Sequence, residues 1–143
     1  MKRLTLTEIL TALVVLVVIA AIAVPMWRTH ELRVRRQEAI DALRAVQSAQ
    51  DDYFGNHARY ADEAQLRASS PQALSEKGFS ARGYYRLTVA KSADDLTYTA
   101  VARVVPRDTE GADTRCVELR IDQNGRRYAV DAEGVDRSAD CWR

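Results

Sequence analysis

The chain has 143 residues, of which 47% are hydrophobic, with 21 basic and 20 acidic side chains and a formal net charge of +1. That is enough for one folded domain once a membrane-length segment is set aside, and the near-cancelling charge excludes a global pull towards nucleic acid or acidic lipid. No repeat, low-complexity tract or long linker divides it.

Residues 4–25 read LTLTEILTALVVLVVIAAIAVP, apolar almost throughout from Ile9 to Val24, with a single acid, Glu8, near the start. A helix over residues 4–27 would rise about 36 Å, enough to cross roughly 30 Å of hydrocarbon. An ionised carboxylate beside such a run is costly, which points to a use for Glu8. Two plainer readings compete. One is an ordinary membrane anchor carrying an incidental Glu8. The other is a secretory signal, with Lys2 and Arg3 as its basic start and Ala21-Ile22-Ala23 as a small-x-small cleavage site. The length of the apolar run, the acid at its start and its continuation into a helical pattern weigh against the signal. Orientation cues conflict. Arg28, Arg33, Arg35 and Arg36 outnumber Lys2 and Arg3, which places the C-terminal side in the cytoplasm. Two cysteines, Cys116 and Cys141, favour export of that side.

Pro25 removes one backbone donor and is expected to kink the helix, and Trp27 suits a membrane interface. Residues 28–54 contain no Gly or Pro. Leu32, Ala39, Ile40, Leu43, Val46, Ala49, Tyr53 and Phe54 recur there near three- and four-residue spacing. That pattern predicts an amphipathic helix whose apolar stripe is the core face, stopped at Gly55-Asn56. Residues 55–83 read as a loop with a short helical turn around 62–67, pinned to the core by Tyr60 and Phe79.

Four strands are expected, over residues 84–89, 98–105, 116–121 and 127–130. In the first, Tyr85, Leu87 and Val89 share a face. In the third, Val117, Leu119 and Ile121 face one way and Cys116, Glu118 and Arg120 the other. Asp122-Gln123-Asn124-Gly125 is a hairpin turn signal. The sheet is therefore antiparallel, about four-stranded, with one face on the helix and one in water. Residues 131–143 read as a tail of little periodicity, which a Cys116–Cys141 bridge would pin to the third strand. In an exported domain a lone cysteine pair reads as one disulfide, and closing a loop of about 25 residues stabilises by roughly 3 kcal/mol in the chain-entropy model. The class is α+β: a long N-terminal helix on a small sheet with a disulfide-closed C-terminal loop. The divisions are 1–3, 4–27 and 28–143, the last comprising the helix 28–54, the loop 55–83, the sheet 84–130 and the tail 131–143.

Leu4-Thr5-Leu6-Thr7-Glu8-Ile9, the apolar helix and Pro25 together resemble the N-terminus of type IV pilins and pseudopilins. Cys116 opening a strand, the Gly125-Arg126 turn and the Cys141-Trp142-Arg143 end resemble minor pilins of the PilE and ComP kind. The resemblance implies cleavage between Arg3 and Leu4 by a leader peptidase that also methylates the new N-terminus. Arg3 departs from the small residue that such peptidases take there. It also implies that Glu8 meets a neighbouring subunit's ammonium in a filament. The partners implied are other pilins, the inner-membrane assembly machinery and membrane lipid. The location implied is the bacterial inner membrane, single-pass with a periplasmic C-terminal side, and the pilus surface.

No catalytic constellation emerges. His30 and His57 have no second pair of metal ligands at suitable spacing, no Gly-rich phosphate loop is present, and no Ser or Cys has a neighbouring base. The reading is a non-enzyme without cofactor or metal: a minor pilin built into, or priming, a type IV pilus for assembly, adhesion or twitching motility. One alternative is a DNA-binding receptor pilin for natural transformation, with Arg126 and Arg127 as contacts. Against it, the eight arginines of residues 103–143 interleave with nine acids. The other alternative is a type II secretion pseudopilin.

Overall fold

The computed structural model describes residues 5–106 and 112–143. Arg3 and Leu4, the expected processing site, lie outside the described residues. Helix α1 spans Leu6–His57, and the chain divides into two compact units, one ending at Val34 and one covering Arg35–Arg143.

Within the first unit, residues 9–24 are helical and apolar on all sides. Pro25 sits inside α1, and the Thr29 hydroxyl donates to the carbonyls of Pro25 at 2.8 Å and Met26 at 3.0 Å. The large hydrophobic side chains from Leu6 to Trp27 are all exposed. A stretch of α1 is long and apolar enough to cross a membrane.

In the second unit α1 buries Ala39, Ile40, Leu43, Val46 and Ala49, the stripe read from its spacing. The helix runs past Gly55 and Asn56 to His57, so the expected stop is two residues early. Local bonds carry it on: the Asn56 side chain donates to Asp52 O, and His57 Nδ1 contacts Tyr53 O. Gln50 is fully buried, with its amide bonded to both the N–H and the carbonyl of Ala61 at 2.9 and 2.8 Å. A buried amide satisfied on both sides ties the turn after α1 to the helix. Helix α2, Glu63–Ser69, follows, started by a capping box between Asp62 and Gln65.

Strands β1 (Tyr85–Lys91), β2 (Tyr98–Val104), β3 (Glu118–Asp122) and β4 (Arg127–Val130) form an antiparallel sheet in the order β1-β2-β3-β4. Tyr85, Leu87, Ala100, Ala102, Leu119, Ile121 and Ala129 join the helix stripe in one core. Both edges are occupied. Beside β1, Gly78 O accepts from Leu87 N at 2.7 Å and Glu63 Oε1 accepts from Val89 N at 3.0 Å. Beside β4, Arg137 N donates to Ala129 O at 2.8 Å and Ala129 N donates to Ser138 Oγ at 2.9 Å. Among the described residues, these bonds cover the middle of both edge strands.

The third strand differs from expectation. It begins at Glu118, and Cys116 and Glu118 are buried rather than facing water. Cys116 is drawn inward by its disulfide with Cys141 and by Asp113, whose Oδ1 accepts from Cys116 N at 3.3 Å. Glu118 is covered by two arginines. The tail forms α3 (Ser138–Cys141), and Trp142 Nε1 donates to Tyr128 O at 3.0 Å.

Candidate functional site

Glu8 is part of a capping box at the start of α1. Thr5 N and Thr5 Oγ1 donate to Glu8 Oε2 at 2.8 and 2.9 Å, and Glu8 N donates back to Thr5 Oγ1 at 3.4 Å. The spacing Thr5-x-x-Glu8 is the local signal for such a cap, and it supplies a use for the acid inside its own helix. One carboxylate oxygen, Oε1, makes no bond to Thr5 in that cap.

The disulfide closes Cys116 to Cys141 with a Cα separation of 5.8 Å. The segment before it is fixed to α1 by a bidentate pair. Arg36 Nη2 donates to Asp113 Oδ1 at 2.9 Å, Arg36 Nε bonds the same carboxylate, and Asp113 is 3% exposed. Nothing in the spacing of residues 36 and 113 signals this pair.

Arg126 and Arg127 are exposed around the β3–β4 turn. Asp122 Oδ1 caps that turn by accepting from Asn124 N and Arg126 N, both at 2.9 Å. Gly125 has φ +72°, a left-handed conformation that a side chain would strain. Arg127 lies over the Trp142 ring, 5.4 Å from its centroid. It pairs in register with inward-facing Ile121, so it leaves the sheet on the helix side.

The opposite, solvent face carries a second basic group. The register aligns Arg86 with Arg103 and Arg103 with Glu118 in one row. It aligns Thr88, Val101, Arg120 and Tyr128 in the next. Arg103 Nε donates to Glu118 Oε2 at 2.7 Å, its Nη2 bonds the same oxygen, and Arg120 bonds Glu118 Oε1 through Nε and Nη2. Burial pushes the Glu118 carboxyl up, but the bonds from Arg103 and Arg120 outweigh it and hold the group below its ordinary range. Strand alternation already puts Arg86, Arg103 and Arg120 on the water side. Their meeting on one patch depends on register, which the sequence does not display. Among the described residues no group of three or more His, Cys, Asp and Glu side chains is placed to hold a metal ion.

A family described as "Type IV minor pilin ComP, DNA uptake sequence receptor" matches residues 25–120. That match includes Arg86, Arg103 and Arg120 and ends before Arg126. Among solved structures, a type IV pilin from Shewanella oneidensis aligns at 20% identity with a TM-score of 0.47, covering 66% of this chain and 88% of that one. No curated protein sequence matches.

Proposed function

The chain belongs to the ComP family of type IV minor pilins, and on that footing we propose that it enters or primes a type IV pilus through residues 6–27. The observation that carries this is the exposure of that helix. An all-round apolar surface needs lipid or other apolar helices around it. Association through strand exchange is disfavoured, because both sheet edges are occupied within the subunit. A pilin is a structural subunit, not an enzyme fold.

Glu8 is the assembly residue in this proposal, with Pro25 shaping the helix beyond it. A neighbouring subunit's cation at the carboxylate would lower the cost of burying either charge. Processing between Arg3 and Leu4, N-methylation and a periplasmic C-terminal side belong to the same proposal, and the disulfide supports the last of these. Partners are other pilins, the assembly machinery and lipid.

The experiment compares Val17→Lys and Glu8→Ala with the wild type in membrane and sheared-pilus fractions. Val17→Lys is expected to leave both fractions while its disulfide still forms. Glu8→Ala is expected to stay in the membrane and be depleted from pili. Wild-type amounts of Val17→Lys in sheared pili overturn the filament reading, and wild-type amounts of Glu8→Ala overturn the role of the acid.

A second reading, a DNA-receptor pilin, is favoured by the description of the family whose model matches. Arg126 and Arg127 are proposed contacts. Replacing both by Ala should weaken duplex binding and flatten its salt slope by about two units. No measurable binding at low salt removes this reading and leaves the structural one.

A further inference from the structure

We propose that a groove on the exposed side of α1 receives Arg33 of a second copy of this chain, so that neighbouring subunits dock with parallel helices shifted along their length. The inference rests on the pilus reading above. Its ground is the way charge is divided along α1. Residues 28–36 carry Arg28, Arg33, Arg35 and Arg36 against a single acid, Glu31. Residues 37–57 carry Glu38, Asp41, Asp51 and Asp52 against a single arginine, Arg44. Parallel helices side by side and in register would set arginine against arginine and acid against acid. A shift that brings one copy's basic segment beside the next copy's acidic one replaces repulsion by attraction.

Most of these charges are already engaged within the subunit. Arg36 holds Asp113, Arg35 lies over the Tyr84 ring, Glu38 accepts from Arg82 N, and Asp41 meets Gln37 and Arg44. Arg33, Asp51 and Asp52 stand apart from this. All three are exposed, and none has an opposite charge three or four positions away, where helix neighbours meet. Among the described residues none of the three has an ion-pair partner. The subunit therefore presents one free cation and two free acids on the helix that the filament brings together.

Asp52 lines a groove of about 410 Å³ together with Ala45 and Ser48 of α1 and Ser70, Pro71 and Gln72 of the segment after α2. Short side chains let another chain come close. The apolar stem of an arginine can lie along Ala45 and Pro71 while its guanidinium reaches the Asp52 carboxylate. Arg33 and Asp52 are 19 residues apart, so the contact corresponds to a shift of about 28 Å of helix. The contact is heterologous: Arg33 of one copy meets Asp52 of the next, whose own Arg33 is free for a third. Such contacts repeat without closing and extend a filament rather than end in a dimer.

The test expresses full-length variants in place of the wild type in the native host. It reads the ratio of protein in sheared pili to protein in the membrane, with disulfide formation as the check on folding. Arg33→Glu and Asp52→Arg should each lower that ratio at least about tenfold, because each sets like charges together at the contact. Arg33→Gln and Asp52→Asn should lower it less, and they carry the test if a reversal fails to form its disulfide. The double variant Arg33→Glu with Asp52→Arg restores opposite charges and should recover the ratio. Co-expressing the two single reversals should recover it too, because the changed residue of each copy then meets that of the other. If the wild type enters pili and the single reversals enter equally well, the contact is overturned and the pilus reading stands. If the single reversals are depleted and co-expression does not recover them, the occupant is not a second copy and the proposal is overturned. If the wild type is absent from sheared pili, both fall.

Discussion

Residues 6–27 and residues 39–50 belong to one helix and are both rich in Leu, Val, Ile and Ala, yet their fates are opposite. Leu13 is 54% exposed and Leu43 is fully buried. The difference lies in periodicity, not in hydrophobicity. Residues 9–24 are apolar on every side, so no rotation of that helix turns a polar face to water. Residues 39–50 confine their apolar side chains to a stripe and place Asp41 and Arg44 on the other side. A stripe can be covered by a four-stranded sheet of the same chain. An all-round surface needs a different solvent or a bundle of like helices.

The sharpest way to break this comparison is to make one substitution in both places. Leu43→Ala should destabilise the unit of residues 35–143 by about 3–4 kcal/mol, through lost burial and the cavity left behind. Leu13→Ala should leave that unfolding transition unchanged. Urea titrations of the full chain in micelles, followed by Trp142 fluorescence, would measure both. Equal losses would show that the two regions are not energetically separate.

Removing the disulfide with Cys116→Ser and Cys141→Ser should cost about 3 kcal/mol, again in the second unit alone. The same titration checks it, with limited proteolysis reporting release of the tail. Unchanged stability together with a protected tail would mean that α3 and Trp142 suffice to hold it.

The smallest effect concerns Glu118. Its folded-state carboxyl lies below the ordinary value of 4.5, so its ion pairs are fully stabilising above that pH. On acidification the unfolded chain takes up its proton first, and the stabilisation fades as pH falls through the folded value. Thermal melts of wild type and Glu118→Gln should differ at pH 7, begin to approach each other below pH 4.5 and converge only once pH has fallen through the folded-state value. A gap that stays constant down to pH 3 would show that the carboxylate charge contributes nothing to the fold.

By itself the sequence determined the elements whose signals are local. The apolar run, the core stripe of Ala39 to Ala49, the Asp122–Gly125 turn and the alternation of four strands each depend on neighbours a few residues apart. The antiparallel α+β architecture follows, because an apolar stripe and a one-sided sheet each need the other. The Thr5–Glu8 cap is equally local, since its Thr-x-x-Glu spacing carries the signal, but only the structure brought it out. Tertiary structure alone decided what joins distant positions. Gln50 finds Ala61, Arg36 finds Asp113, and Glu118 is buried where strict alternation puts it in water. Each is a polar group whose burial is tolerated only because a partner far along the chain satisfies it, and no spacing rule encodes that partner. The same limit applies to the candidate site. Alternation sends Arg86, Arg103 and Arg120 outward, but only the register of three strands brings them to one face around one carboxylate.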